Sequence, residues 1–200
     1  MSALFAAADL FTPVGPRTVV EDREGGCVYT PGFIDAALAD AWFQALRDGV
    51  EWRQQRRPMY DRVVDVPRLT GGYGAEDAAM PMALAEVARR VRTHVGAAFT
   101  HIGLNYYRDG NDSVAPHNDK LSTLVAPHPI ALVSLGHPRR MEIREKAPPR
   151  GVVRIDLEPG SLLVMSHAMQ STHDHGIPKS RHPVGPRISL AFRVRPPKVE

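Results

Sequence analysis

A histidine and an aspartate two residues apart, His117 and Asp119, could together hold a metal ion. Alternate residues of an extended strand point to the same side, so both could face one ion if the chain is extended there. Two histidines and one carboxylate on one face of an octahedral ion leave positions open for a co-substrate and oxygen, which is the non-heme Fe(II) arrangement. Taken alone the pattern is weak, because His and Asp are also common in polar turns between strands.

A third ligand would have to come from a distant part of the chain. The segment His-Asp-His-Gly at 173–176 offers His173 and His175. The residues alone leave the choice between these two histidines open.

Two arginines six residues apart, Arg187 and Arg193, suggest an anion beside this metal site. They lie in a segment that reads as a strand, and their even spacing aims both at one face. Guanidinium groups on an inner face are costly to bury without anionic partners. A dicarboxylate would pair with both through bidentate hydrogen bonds. The alternative is a pair of arginines on the solvent-exposed face of the strand.

The N-terminal half must supply helices that support these residues. Asp35 precedes apolar residues at helical spacing that end at Gly49, which predicts a first helix. A second helix is expected over 80–99, with Pro81 in its first turn. The segment 63–74 has valines followed by a proline and three glycines, a composition typical of a loop.

From residue 100 onward, short segments rich in β-branched residues alternate with turn-prone stretches. They predict strands at 101–107, 129–136, 140–145, 152–158, 161–167 and 186–195. Regularly spaced strands after two helices predict an α+β fold, a double-stranded β-helix (jelly roll) with the N-terminal helices packed on one sheet. We expect an irregular arm over residues 1–26 and a single domain over residues 27–200.

Composition excludes several classes of protein. The chain is 43% hydrophobic and 24% charged, as in ordinary globular proteins. No run of about 18 apolar residues predicts a membrane span, and the single Cys27 excludes an internal disulfide framework. We read no signal peptide at the start and expect a cytoplasmic monomer. The C-terminal half is basic, which permits a polyanionic partner.

Several motifs together resemble the AlkB family of Fe(II)/2-oxoglutarate-dependent dioxygenases. In chain order they are LNYYRDGND, HND, PIALVSLG, EPGSLLVM, HGIP and PRISLAFR. The segment VPRLTGGYG also resembles the PR…YG segment of the family's DNA-repair branch. The resemblance extends over residues 27–195, which makes the single domain a dioxygenase domain.

The resemblance implies a metal triad of His117, Asp119 and His175. His175 is preferred to His173 because Gly-Ile-Pro follows it and because Arg187 lies twelve residues further on.

The resemblance also implies the residues that bind the co-substrate. Arg187, helped by Tyr107, would pair with the distal carboxylate of 2-oxoglutarate. Arg193 would lie near the carboxylate that chelates iron, with Asn105 nearby. Without the resemblance, Asn105 and Tyr107 would read as ordinary strand residues.

The implied activity is oxidative removal of N-alkyl (methyl) groups from nucleobases in DNA or RNA. Such an enzyme uses Fe(II), 2-oxoglutarate and O2 and releases formaldehyde and succinate. One alternative is an AlkB-like hydroxylase or demethylase that acts on a protein side chain or a small molecule. Another is a binding module that has lost the iron, against which the intact candidate ligands argue.

The candidate substrate-binding residues are Arg68, Tyr73 and Tyr60, with Arg56 and Arg57 as candidate phosphate contacts. A target base inside a duplex would have to be flipped out of the stack and held between side chains. For each of these residues, a solvated loop position is the alternative.

Leu121 departs from the pattern of the resemblance. Many repair members of the family carry an acidic residue two positions after the metal aspartate, where it favours a cationic methylated base. Here that position is Leu121, and a leucine cannot attract a positive charge. This departure leaves the iron chemistry intact and weakens the inference to DNA repair.

Overall fold

The computed structural model describes residues 15–59 and 62–197. Its helices are α1 (Ala36–Gly49), α2 (Met82–Val95) and the short α3 (Met169–Thr172). Its strands are β1 (Arg17–Val20), β2 (Cys27–Thr30), β3 (Arg53–Met59), β4 (Arg62–Gly74), β5 (His101–Tyr107), β6 (Val114–His117), β7 (Ile130–Gly136), β8 (Arg139–Glu145), β9 (Val152–Leu157), β10 (Leu162–Met165), β11 (His173–Ile177) and β12 (Arg187–Arg193).

The strands form two antiparallel sheets. The larger sheet has eight strands in the order β1-β2-β10-β7-β12-β5-β4-β3, and the smaller has four in the order β6-β11-β8-β9. Helix α1 packs on β7, β12 and α2, so the helices cover one face of the larger sheet. This arrangement confirms the predicted α+β jelly roll.

Strand β12 shows how the fold separates its two interiors. Ile188, Leu190 and Phe192 enter the core between the larger sheet and the helices. The alternate residues face the space between the two sheets, which a second apolar cluster fills. Polar groups on that side of β12 therefore lie between the sheets, where water is largely excluded.

The first helix forms as predicted. The side chain of Asp35 accepts a hydrogen bond from the Leu38 N–H at 2.9 Å, which caps the helix. The second helix is shorter than predicted and ends at Val95, because Gly96 adopts a left-handed conformation with φ of 70°. Pro81 precedes this helix as its N-cap instead of lying in its first turn.

The prediction of a loop over residues 63–74 is wrong, because β4 runs through the whole segment. Its proline, Pro67, lies opposite an irregularity in the pairing with β3, between Gln54 and Arg56. A missing N–H is tolerated at such a bulge. Gly71 leaves room for the neighbouring Val50, whose side chain would lie 3.0 Å from an added Cβ. Gly71 therefore serves close packing instead of a turn.

Strands β1, β3 and β11 fall where the sequence predicted none. Strand β1 lies inside the predicted irregular arm and pairs with β2, while residues 1–14 of that arm lie outside the described residues. The single domain over 27–200 and a cytoplasmic monomer stay predictions. Within the described ranges, no helix is long and apolar enough to cross a bilayer.

Candidate active site

Two histidines face each other across neighbouring strands of the smaller sheet. The antiparallel pairing of β6 with β11 sets His117 directly opposite His175, and their ring centroids are 4.6 Å apart. His117 Nδ1 lies 3.0 Å from the carbonyl oxygen of Ala115. Because a carbonyl oxygen only accepts, Nδ1 carries the proton and Nε2 is left as a potential metal ligand.

His175 is almost fully buried, and its environment keeps it neutral. Burial and, secondarily, the nearby His117 lower the pKa of His175 to about 3. A neutral imidazole is the form that binds metal ions. His173, the alternative candidate, bonds to the hydroxyl of Thr172 at 2.9 Å and is absent from the cavity wall described below. The geometry therefore favours His175 of the two.

Asp119 lies next to the imidazoles, but it is not on the same strand as His117. Strand β6 ends at His117, and a single 3-10 turn begins at Leu121. His117 and Asp119 therefore do not reach the site from a single extended strand. The Asp119 carboxylate accepts hydrogen bonds from Arg193 Nε at 2.7 Å and Nη2 at 3.1 Å.

Electrostatics keep the Asp119 carboxylate ionised. Burial would raise the pKa of Asp119, but the Arg193 guanidinium and the two imidazoles together hold it below its usual value. In the described part of the chain, no three His, Cys, Asp or Glu side chains meet at metal-ligand spacing. The Asp119 oxygens instead accept hydrogen bonds from Arg193. The structure thus brings two of the three predicted ligands face to face and places the third beside them.

Arg187 is a buried cation with unsatisfied hydrogen-bond donors. Its side chain is 1% exposed, its Nη2 donates to the Ser134 hydroxyl at 2.9 Å, and its guanidinium stacks on the Tyr107 ring at 5.2 Å. Its Nε and Nη1 have no hydrogen-bond partner. Burial lowers the pKa of Arg187, as expected for a guanidinium with no carboxylate beside it. An anion that accepts from Nε and Nη1 would satisfy the group.

Arg139 is a second buried cation beside Tyr107, and sequence reasoning missed it. Its guanidinium lies 5.6 Å from the Tyr107 ring and donates to the carbonyl oxygens of Asp109, Asp112 and Pro178. Tyr107 therefore has two guanidinium groups near its ring. No motif marks Arg139, because its partners are backbone carbonyls of two separate loops.

Most of the predicted site residues line one cavity between the sheets. Asn105 accepts a hydrogen bond from Arg68 Nε at 2.7 Å, which brings Arg68 to the cavity wall. The lining residues are Arg68, Asn105, Tyr107, Val114, His117, Leu132, Met141, His175, Ile177, Arg187, Ser189, Ala191 and Arg193. The cavity thus has histidines on one wall and the β12 arginines on the opposite wall.

The structure does not bring Tyr73 to this cavity. On β4, Tyr73 pairs with Ile102 of β5 and packs against the core on the helix side of the larger sheet. Tyr73 therefore lies on the face away from the cavity. Tyr60, the other aromatic candidate, lies outside the described residues.

Comparisons with known proteins show the family of the chain. A family profile described as the 2OG-Fe(II) oxygenase superfamily matches residues 72–193. The chain is 30% identical to the alpha-ketoglutarate-dependent dioxygenase alkB homolog 3 of Mus musculus, over 96% of this chain and 78% of that protein. It is 34% identical to the DNA oxidative demethylase ALKBH2 of Homo sapiens, over 84% and 72% of the two chains. The chain belongs to the AlkB family of 2OG-Fe(II) oxygenases.

Solved structures show the same fold. The structure of OsALKBH1 superposes with a TM-score of 0.61 at 14% identity, covering 85% of this chain and 97% of that chain. A prolyl hydroxylase from Trichoplax adhaerens gives a TM-score of 0.61 at 12% identity, covering 84% and 83%. At such low identity, these likenesses support the jelly roll alone.

Family membership confirms the predicted enzyme class and cofactors. The chain is a 2-oxoglutarate-dependent dioxygenase that uses Fe(II), 2-oxoglutarate and O2. The chemical types of the residues present fit these groups, because two imidazoles and a carboxylate suit Fe(II). The unpartnered donors of Arg187 suit a carboxylate of 2-oxoglutarate.

Replacing Arg187 with methionine should have opposite effects on stability and on co-substrate binding. We expect Arg187→Met to raise the free energy of unfolding by about 1–3 kcal/mol without 2-oxoglutarate, because it removes an unpaired buried charge. Affinity for 2-oxoglutarate should fall about 100-fold, as expected when a buried charge partner is lost. Urea unfolding and calorimetric titration with Mn(II) present measure the two effects. The exposed control Arg140→Met should leave co-substrate affinity unchanged, and equal affinity in both variants would contradict this role of Arg187.

Protein freed of metal by a chelator should lose stability as the pH falls below about 6.5, the usual pKa of histidine. The folded-state pKa of His175 lies below that value, so the unfolded chain binds one more proton between these two pKa values. Stability should therefore fall by about 1 kcal/mol per pH unit in that window. Urea unfolding at pH 7 and pH 5 should show a smaller difference for His175→Gln than for the wild type. The exposed His182→Gln control should behave as the wild type, and an unchanged difference in His175→Gln would refute the assignment.

Proposed function

We propose that this protein oxidatively removes N-methyl groups from nucleobases in DNA or RNA. One observation carries the proposal: paired imidazoles, with Asp119 beside them, share a cavity with a buried guanidinium that lacks a partner. The similarity to alkB homolog 3 and to the DNA oxidative demethylase ALKBH2 supports a nucleobase as the substrate.

In this proposal each wall of the cavity has one task. His117, His175 and Asp119 would hold Fe(II), which with 2-oxoglutarate and O2 supplies the oxidation of an N-methyl C–H bond. Arg187 would bind the distal carboxylate of 2-oxoglutarate and orient it against Tyr107. Arg193 keeps the Asp119 carboxylate ionised and fixed in direction.

A nucleic acid would reach the cavity along the β3–β4 hairpin. Strand β4 carries Arg68 at the cavity wall and leads away into the hairpin, where β3 exposes Arg56 and Arg57. Arg56 pairs with Asp65 at 3.1 Å, but both side chains are well exposed. An exposed pair of this kind is worth little, so Arg56 remains available to a phosphate. This arrangement supports Arg68 as a substrate contact and the β3 arginines as backbone contacts.

A protein side chain or a small molecule is the second candidate substrate. Leu121 favours it, because this side chain lies two residues after Asp119 and is 38% exposed. A leucine here offers an apolar contact to a neutral substrate and none to a cationic base.

The direct test supplies the Fe(II)-loaded protein with 2-oxoglutarate and methylated single- and double-stranded oligonucleotides. We expect formaldehyde and succinate in equal amounts, with loss of the base methyl group seen by mass spectrometry. His117→Ala should abolish succinate production, and the exposed His182→Gln control should not change it. Turnover of 2-oxoglutarate without loss of any base methyl group would favour the second candidate. Unchanged succinate in His117→Ala would show that the site is misplaced.

Leu121→Glu should shift substrate preference toward cationic bases. A carboxylate near the surface attracts a single positive charge by about 1 kcal/mol, so kcat/KM for N1-methyladenine should rise about fivefold relative to neutral N3-methylthymine. The matched control Leu121→Gln adds polarity without charge and should leave this ratio unchanged. The same ratio in both variants would contradict a charge effect at this position.

A further inference from the structure

A buried glutamine connects the Asp119 segment to the helix that leads into β11. Gln170 lies on α3 and is 1% exposed. Its Oε1 accepts a hydrogen bond from the backbone N–H of Asp119 at 3.0 Å. Sequence reasoning missed this residue, because no motif surrounds it and its partner lies 51 positions away.

The start of α3 is itself fixed by the loop between β1 and β2. The Ser166 hydroxyl donates to Asp22 at 2.5 Å and accepts from the Met169 N–H at 3.0 Å. Glu24 accepts from the Ala168 N–H at 2.7 Å. These bonds occupy backbone donors at the beginning of the helix, so Gln170 projects from a helical turn that is fixed at its start.

The end of α3 fixes the other side of the proposed metal site. The helix ends at Thr172, β11 begins at the next residue, and β11 carries His175 opposite His117. Lys146 also donates to the Gln170 carbonyl oxygen at 2.9 Å. One continuous segment, α3 followed by β11, therefore carries both the amide that holds Asp119 and the strand that presents His175.

Packing alone does not explain a glutamine at this position. Its Nε2 is buried and has no hydrogen-bond partner, so the side chain has one satisfied polar group and one unsatisfied one. A methionine of similar size would fill the same space without an unpaired donor. What the glutamine adds is the acceptor for the Asp119 N–H.

We propose that Gln170 is a positioning residue for the metal centre. By accepting from the Asp119 N–H, it sets the place of the Asp119 carboxylate relative to His175. The inference rests on the proposed metal site. Groups that orient metal ligands in this way change metal affinity about 10–100-fold when they are replaced.

The test is a titration of the full chain with Co(II), monitored by visible absorption, which measures metal binding without catalysis. Gln170→Met removes the acceptor and should weaken Co(II) binding at least tenfold. Gln170→Glu keeps an oxygen acceptor and should stay within about threefold of the wild type. Ser171→Ala, an exposed neighbour on the same helix, should match the wild type. Thermal unfolding without metal compares the folding of all variants.

The outcomes separate the inference from the proposed function. Wild-type protein that binds no Co(II), or binds it equally after His117→Ala, would overturn the metal site and the inference with it. Normal wild-type binding with equally tight binding in Gln170→Met would overturn the inference alone. Equal weakening in Gln170→Met and Gln170→Glu would also overturn it, because the acceptor would then not matter.

Ser166→Ala is the alternative variant for this test if Gln170→Met does not fold. It removes the hydroxyl that fixes the start of α3, and we expect a less stable protein that still folds and binds Co(II) about threefold more weakly. Unchanged Co(II) affinity in a folded Ser166→Ala protein would contradict the role of α3 in placing Asp119.

Discussion

The site depends on a buried arginine, Arg187, whose hydrogen bonds the protein alone does not complete. Arg187 is buried between two sheets with Nε and Nη1 unpaired. A charge in that position is expensive unless an anion meets it. The fold tolerates Arg187 because the Ser134 hydroxyl and the Tyr107 ring stabilise part of the guanidinium. The remaining donors, Nε and Nη1, are placed to donate to an anion such as a carboxylate.

The register of the strands determines which side chains share the cavity with this charge. Alternation along β12 places Arg187 and Arg193 between the sheets while Ile188 and its apolar neighbours hold the helices on the other face. The pairing of β6 with β11 places the two imidazoles on the opposite wall. Burial lowers the pKa of one imidazole and Arg193 lowers that of Asp119. A neutral histidine and an ionised aspartate therefore meet at the same pH.

The parts of this fold that depend on local pattern can be predicted from the sequence. The cap at Asp35 and the alternation in β12 are visible because each involves residues close together in the chain. Strand β4 was missed because Pro67 and three glycines read as a loop until β3 and β5 are seen on either side. Gln170 and Arg139 could not be found from the sequence, because their partners are backbone groups brought near only by the complete fold. The direction of the Asp119 carboxylate likewise depends on Arg193, which lies 74 positions away.

The most direct test is a crystal structure of the protein with Mn(II) and 2-oxoglutarate, grown without oxygen and with the metal located by anomalous scattering. We expect Mn(II) to be bound by His117, His175 and Asp119, with the distal carboxylate of 2-oxoglutarate on Arg187 Nε and Nη1. A metal bound elsewhere, or an Arg187 that stays unpaired while 2-oxoglutarate binds at another place, would contradict it.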